Sequence, residues 1–286
     1  MSSTQTMKSW AMEIKSPEDV PRAFRDAFIS LAPKEGGFPY TVYSPPFKSS
    51  RIKSNARLLF TWDEKLAILT KVKSNIESIL FEFKNLDYLE HGSILLASWI
   101  KLEGTSSDRE FTSVTVGFST VVDALFLKIL DMIRHTYLFN GTGVRETEKD
   151  KFNYLANKNF KFMNYSKQSI RDGEEIRANL YEPEIEVENY KLFGKVFYKR
   201  ISPAHLLIIA DKEVIILRDP DSLRLSSYGA SWGFLPLSRI QAISSSLDES
   251  SGYCTLKIRL TGGEEIPLIY RGNRKEELED IMVLAS

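Results

Sequence analysis

Read for its apolar and polar positions, the chain carries one short pattern twice. In LLFTWDEKLAILTK (Leu58–Lys71), two runs of aliphatic, β-branched and aromatic residues flank the charged turn Asp63-Glu64-Lys65. In LLIIADKEVIILRD (Leu206–Asp219), 148 positions further on, similar runs flank Asp211-Lys212-Glu213. Each predicts strand, short polar turn, strand. The order persists on both sides, as an internal repeat requires. EFKNLDYL (Glu82–Leu89) and PLSRIQAI (Pro236–Ile243) share their apolar spacing, at an offset grown to 154, so the second copy carries about six extra residues in DPDSLRLSSYGASWG. ILLASWIKL and CTLKIRL follow as strands ending in polar turns, then FTSVTVGF and EIPLIY as closing strands.

The period then changes from two to that of a helix. Thr120 is placed to cap a stripe of Val122, Leu125, Phe126, Ile129 and Ile133, with Asp123 completing an approximate capping box. Asn273 and Glu276 take those places before Leu278, Ile281, Met282 and Ala285. Upstream, YTVYSPPF (Tyr40–Phe47) and RANLYEPEI (Arg177–Ile185) each predict a strand broken at Tyr-x-Pro, because proline ends sheet pairing. Before the first lies a helix with Ser16 as cap, Pro17 just inside, and Phe24, Phe28 and Leu31 on one face. FMNYSKQSIRDGEE is its shorter counterpart. The expected fold is mainly β (α+β): two domains, each a bent seven-stranded antiparallel barrel or sheet capped by a C-terminal α-helix. The expected organisation is a helical lead-in over 1–35, a first domain over 36–140, a linker over 141–170 and a second domain over 171–286.

The second copy's PAHLLIIADKEVIILRD, YGASWGFLPLSRIQAI and NRKEELEDIM, with the lead-in FMNYSKQSI…GEEI, resemble the bacterial pleckstrin-homology-like domains. The resemblance covers Met163 to Ser286; over Phe38 to Tyr137 it rests mainly on the internal repeat. It implies a tandem of such domains, and it bears on fold more than on function.

Composition narrows the functional classes. Apolar residues make up 43% of 286, enough for a core in each half. Thirty-eight basic residues balance 38 acidic ones, so no global field draws the chain to nucleic acid or membrane. The one cysteine, Cys254, permits no internal disulfide and reads as a buried strand residue. The N-terminal segment lacks a secretory pattern, and no apolar run reaches the roughly 20 residues that span a bilayer, so a soluble cytoplasmic protein is expected.

Catalytic motifs are not evident. His91 (in an expected HGS turn), His135 (near a helix C-terminus) and His205 have no partners at metal spacing and read as structural. NGTGV (Asn140–Val144) follows a helix and reads as its stop, and Asp219 and Asp221 as turn residues. No enzyme activity, cofactor or metal is expected.

Two charge patterns remain. PPFKSSRIKSNAR (Pro45–Arg57) holds Lys48, Arg51, Lys53 and Arg57 with Ser49, Ser50 and Ser54, and no acid. Several cations and hydroxyls in one connection suit an anion. The family resemblance implies the same, since pleckstrin-homology domains that bind inositol phosphates use basic residues in this loop. Four such cations add only about 1 kcal/mol each at an anionic membrane. The corresponding second connection begins with Glu182, Glu184, Glu186 and Glu188. At period two, Glu184, Glu186 and Glu188 share a face that would repel phosphate, guard an edge or meet a basic partner. Lys149–Lys167 interleaves lysines with Phe152, Tyr154, Phe160, Phe162 and Tyr165, and reads as a joint rather than a nucleic-acid platform. The expected role is a non-enzymatic binding or scaffold protein, contacting a protein partner or another copy of itself. The alternative is peripheral binding to anionic lipid headgroups or phosphorylated ligands through 45–57.

Overall fold

A computed structural model describes residues 10–49, 52–138, 146–171, 173–221 and 228–285. It is mainly β, with several antiparallel sheets, none of them closed. The chain divides into two compact units, Met1–Tyr137 and Leu138–Ser286.

The first unit opens with strand β1 (Met12–Ile14), two 3-10 turns and helix α1 (Arg25–Leu31). Ser16 does not cap through its side chain; its hydroxyl donates to Asp19 Oδ2 at 3.0 Å. Next come β2 (Tyr40–Ser44) and the small hairpin β3 (Phe47–Lys48) with β4 (Lys53–Ser54). The main hairpin is β5 (Arg57–Trp62) with β6 (Lys65–Val72), followed by β7 (Asn75–Glu82). A 3-10 turn, Phe83–Asn85, leads into β8 (Leu86–Ile94), β9 (Ala97–Thr105) and β10 (Phe111–Ser119). A last 3-10 turn, Thr120–Val122, runs into helix α2 (Asp123–Leu138).

Strands β1, β2, β5, β6 and β7 hydrogen-bond in that order, and β8, β9 and β10 pair in series. The apolar residues of β5 and β6, from Leu58 to Phe60 and from Leu66 to Leu69, are completely buried. That explains their continuous apolar reading, because a strand covered on both faces does not alternate. Leu58, Phe60, Ala67 and Leu69 pack with Phe24 and Phe28 from the α1 region. Helix α2 meets the sheet through Tyr40, whose hydroxyl donates to the Leu125 carbonyl at 2.9 Å, and stacks Phe126 on Phe118 of β10. Its buried stripe is Phe126, Ile129, Leu130 and Ile133.

The second unit begins with helices α3 (Glu146–Asp150) and α4 (Phe160–Ser169), the latter capped by Asn159, whose side chain accepts from the Phe162 N–H. Strand β11 (Ile176–Glu182) precedes a long hairpin, β12 (Ile185–Leu192) with β13 (Lys195–Ser202). The main hairpin is β14 (His205–Ala210) with β15 (Glu213–Arg218), and β16 (Gly229–Pro236) follows. A 3-10 turn, Leu237–Arg239, leads to β17 (Ile240–Asp248), β18 (Tyr253–Leu260) and β19 (Glu265–Arg271). The 3-10 turn Gly272–Arg274 enters helix α5 (Lys275–Ala285). β11 pairs with β14, β14 with β15, and β15 with β16, while β17, β18 and β19 form a three-stranded sheet.

Apart from β1, which pairs with β2 and has no counterpart among the described residues of the second unit, element order and pairing run alike in the two units: helix, strand, hairpin, main hairpin, strand, 3-10 corner, three strands, 3-10 turn, helix. The backbone latches match too. Lys71 N–H bonds the Ala56 carbonyl at 2.9 Å as Asp219 bonds Ala204 at 2.9 Å, and Phe83 bonds Glu64 at 2.8 Å as Leu237 bonds Lys212 at 2.9 Å.

Several local expectations are corrected. Lys65 and Glu213 belong to strands, leaving two-residue turns at Asp63-Glu64 and Asp211-Lys212. Thr120 does not cap α2; its hydroxyl donates to the Leu95 carbonyl at 3.1 Å, and Asp123 meets His91 Nε2 at 3.0 Å. His91 lies inside β8, not in a turn. ILLASWIKL is broken at Leu95-Leu96, where Leu95 takes φ 57 and both side chains are exposed. An apolar turn carries no glycine, proline or polar signal to announce it. The stretch NGTGV lies outside the described residues.

Candidate interaction surfaces

The basic connection of the first unit forms the β3–β4 hairpin, which lies against β10. The approach is close because Gly117 of β10 has no side chain: a Cβ there would stand 2.2 Å from Ile52 Cγ2. Lys48 and Lys53 are direct cross-strand partners, both exposed, so two like charges share one face. Arg57 is not with them. It stands in β5, half-buried, donating from Nη1 to the Thr115 carbonyl, and burial pulls its pKa down. Arg51 and Ser50 lie outside the described residues. Ser49 accepts the Ile52 N–H at 3.0 Å, and Ser54 is buried, its hydroxyl bonded to the Asn55 carbonyl at 3.3 Å. Beside this hairpin opens a cleft of about 580 Å³, lined by Trp10, Phe47, Lys48, Leu95 and Leu96 among others.

A second cleft of the same unit, of about 460 Å³, lies at the turn of the main hairpin. Phe38, Trp62 and Phe83 line it, and its charged residues are Glu35, Asp63 and Glu64, all exposed. Trp62 stacks on Phe60 with 5.2 Å between ring centroids, so its face toward the cleft is held by the core beneath.

In the second unit the acidic connection is not a loop. It is the β12–β13 hairpin, an arm whose strands pair from Ile185↔Ser202 at the root to Leu192↔Lys195 at the tip. Glu184, just before β12, is tied to Arg200 Nη2 at 3.1 Å, and burial raises its pKa against the pull of that guanidinium. Glu186 and Glu188 are exposed on the strand, Glu188 reaching Lys191 at 4.0 Å. The three carboxylates are thus sequence neighbours in different settings, one half-buried and paired, two facing solvent.

Beyond Glu188 the arm leaves the core. Residues from Asn189 to Lys195 are all exposed, and at the bend Phe193, at φ 48, is 96% exposed. Tyr190 stacks on its cross-strand partner Phe197 at 4.7 Å, yet both remain open to solvent with Leu192 and Tyr198. A two-stranded hairpin has little stability alone, yet this one exposes the aromatic side chains of Tyr190, Phe193, Phe197 and Tyr198. From Asn189 to Lys199 the chain has three lysines, Lys191, Lys195 and Lys199, and no acid. Sequence reading missed this surface because apolar and basic residues are mixed on both faces of the arm, which cancels the alternation that signals an amphipathic strand.

At the arm's root lies a buried polar cluster. Glu182, fully buried in β11, is met by Arg271 and, at 3.7 Å, by Arg274. Burial raises its pKa, with the two guanidinium groups opposing. Its cross-strand neighbour His205 donates from Nδ1 to the Pro203 carbonyl at 3.0 Å, which sets the tautomer and leaves Nε2 without a partner among the described residues. The His205 ring meets Tyr270 edge-on at 4.8 Å, and the buried Tyr270 hydroxyl likewise has no hydrogen-bond partner among the described residues. Burial lowers the His205 pKa to about 4. In the Lys149–Lys167 segment, Phe152 and Phe162 are buried while Phe160 is exposed, and Lys161 Nζ meets Asp219 at 2.5 Å. Asp219 is raised by burial against that ammonium. Cys254 is buried in β18.

Among the described residues no group of three or more His, Cys, Asp or Glu side chains is placed to hold a metal ion. No helix among them is long and apolar enough to cross a membrane. Comparison with protein-family models gave no match, and comparison with curated protein sequences gave none.

Proposed function

We propose that the protein is a non-catalytic binding protein made of two pleckstrin-homology-like units, acting through contacts with other protein surfaces. The repeated element order, with a helix closing each unit, supports the family reading. The observation that carries the functional reading is the β12–β13 arm, whose exposed Tyr190, Leu192, Phe193 and Phe197 stand away from the core. Aromatic residues in such positions supply most of the energy of protein interfaces. The test uses the whole chain as bait in an extract of its own host, beside the Leu192→Ser/Phe193→Ser variant. Proteins retained by the parent are lost with the variant; an identical capture pattern from both would sink the reading.

A second reading has its own observation. Lys48 and Lys53 face each other across β3–β4 with no carboxylate paired to either among the described residues, an arrangement that an anion would relieve. Under this reading the full chain co-sediments with vesicles containing phosphatidylserine or phosphoinositide, and Lys48→Glu/Lys53→Glu abolishes it. Retention of the double variant on vesicles removes the hairpin from consideration.

A further inference from the structure

The arm and the second cleft are complementary in chemistry. One is apolar and basic, with Phe193 at its tip and Lys191 and Lys195 beside it. The other is aromatic and acidic, a cleft of about 460 Å³ walled by Phe38, Trp62 and Phe83 and carrying Glu35, Asp63 and Glu64. We infer that the arm tip of one copy of this chain seats in the aromatic–acidic cleft of a second copy. The inference rests on the arm being a binding element and names its partner.

Three features favour this occupant. The cleft is of the size that takes an inserted side chain with its neighbours, and an aromatic anchor in such a pocket is the common core of a protein contact. Lys191 and Lys195, flanking Phe193, meet three carboxylates and no cation among the described lining residues, so seating pairs opposite charges and rejects an acidic competitor. The geometry of the arm also fits: Glu188 lies five residues from Phe193, about 16 Å along an extended strand, so the arm's own acids stay clear of the cleft. Because arm and cleft are different surfaces, the contact is head-to-tail, and a pair of copies joined by it keeps one free arm and one free cleft until a ring closes or a chain grows.

Analytical ultracentrifugation and light scattering on the full chain test it. The expected result is a mass that rises with concentration beyond a dimer and falls with added salt. Phe193→Ser on the arm, and Glu35→Lys/Glu64→Lys on the cleft, each weaken self-association at least tenfold while far-UV circular dichroism is unchanged. Mixed in equal amounts, these two variants form a one-to-one complex that grows no further, since only one functional arm and one functional cleft meet. Putting Lys191→Glu/Lys195→Glu into the cleft-reversed chain restores association. A chain that is monomeric at every concentration overturns the inference, as does association that survives either set of changes or needs the arm but not the cleft. Arm-dependent binding of a monomeric chain to phosphatidylserine vesicles would assign the tip to a lipid surface and overturn it as well. If a monomeric chain still captures another protein through its arm, the binding role stands and only the second copy falls.

Discussion

Glu64 occupies the second position of the two-residue turn between β5 and β6 at φ 59, after Asp63 at φ 44. This is the primed turn that matches strand twist, and its second position favours glycine, whereas a side chain there is strained. Glu64→Gly therefore raises stability by about 0.5–1 kcal/mol, read as a higher thermal midpoint. His205 acts in the other direction. Its folded pKa, about 4, lies below its unfolded value near 6.5, so the unfolded chain binds the proton more tightly. Its contribution is complete above pH 6.5 and is lost as pH falls toward 4, amounting to about 3 kcal/mol in all. Glu182 and Asp219, raised by burial, have the opposite slope: their contribution is present below the unfolded carboxylate pKa and declines as pH rises through the folded one. Urea unfolding of the parent and of His205→Phe across pH 4–7 separates the two, with the variant losing less stability on acidification. An equal loss in both would remove His205 from the acid response.

At the scale of elements, what could be read from the chain depended on how each piece is covered. The β5–β6 and β14–β15 hairpins were legible because both faces are buried, which leaves unbroken aliphatic runs between charged turns. Helix α5 was legible from Leu278 and Ile281, both buried. Leu278→Ala removes a fully buried side chain, so a loss of about 2–5 kcal/mol is expected in denaturant titration. The turn at Leu95-Leu96 was hidden because its residues look like core. Charge and spacing along 45–57 do not separate Arg57 from Lys48 and Lys53, since a run of cations cannot reveal that one of them spends its guanidinium on the Thr115 carbonyl. The arm was hidden for a different reason. From Asn189 to Lys195 every residue is exposed, so no pattern of self-burial exists there to be read.

For the molecule as a whole, burial predicts a steep gradient of local stability. Backbone amides of β5, β6, β14 and β15 are enclosed by side chains that are almost entirely buried, whereas the residues at the bend of the arm, 189–195, are all exposed. Hydrogen–deuterium exchange of the dilute protein should be slowest over 58–69 and 206–217 and fastest over 190–197. Slow exchange at the bend under dilute conditions would contradict the exposure of the arm. With equal numbers of basic and acidic residues, no net charge holds copies apart near neutral pH.

The matched latches also locate where the fold has room to grow. From Ala56 to Lys71 and from Ala204 to Asp219 the spacing is 15 residues in each unit, while Glu64 to Phe83 spans 19 and Lys212 to Leu237 spans 25. The whole difference in length falls after the first latch closes and before the 3-10 corner, so insertions at that position leave strand register, and with it the choice of buried face, untouched. Loop grafts or peptide tags introduced after Asp219 should be tolerated where the same addition between Ala204 and Lys212 would turn the core side chains of a strand outward.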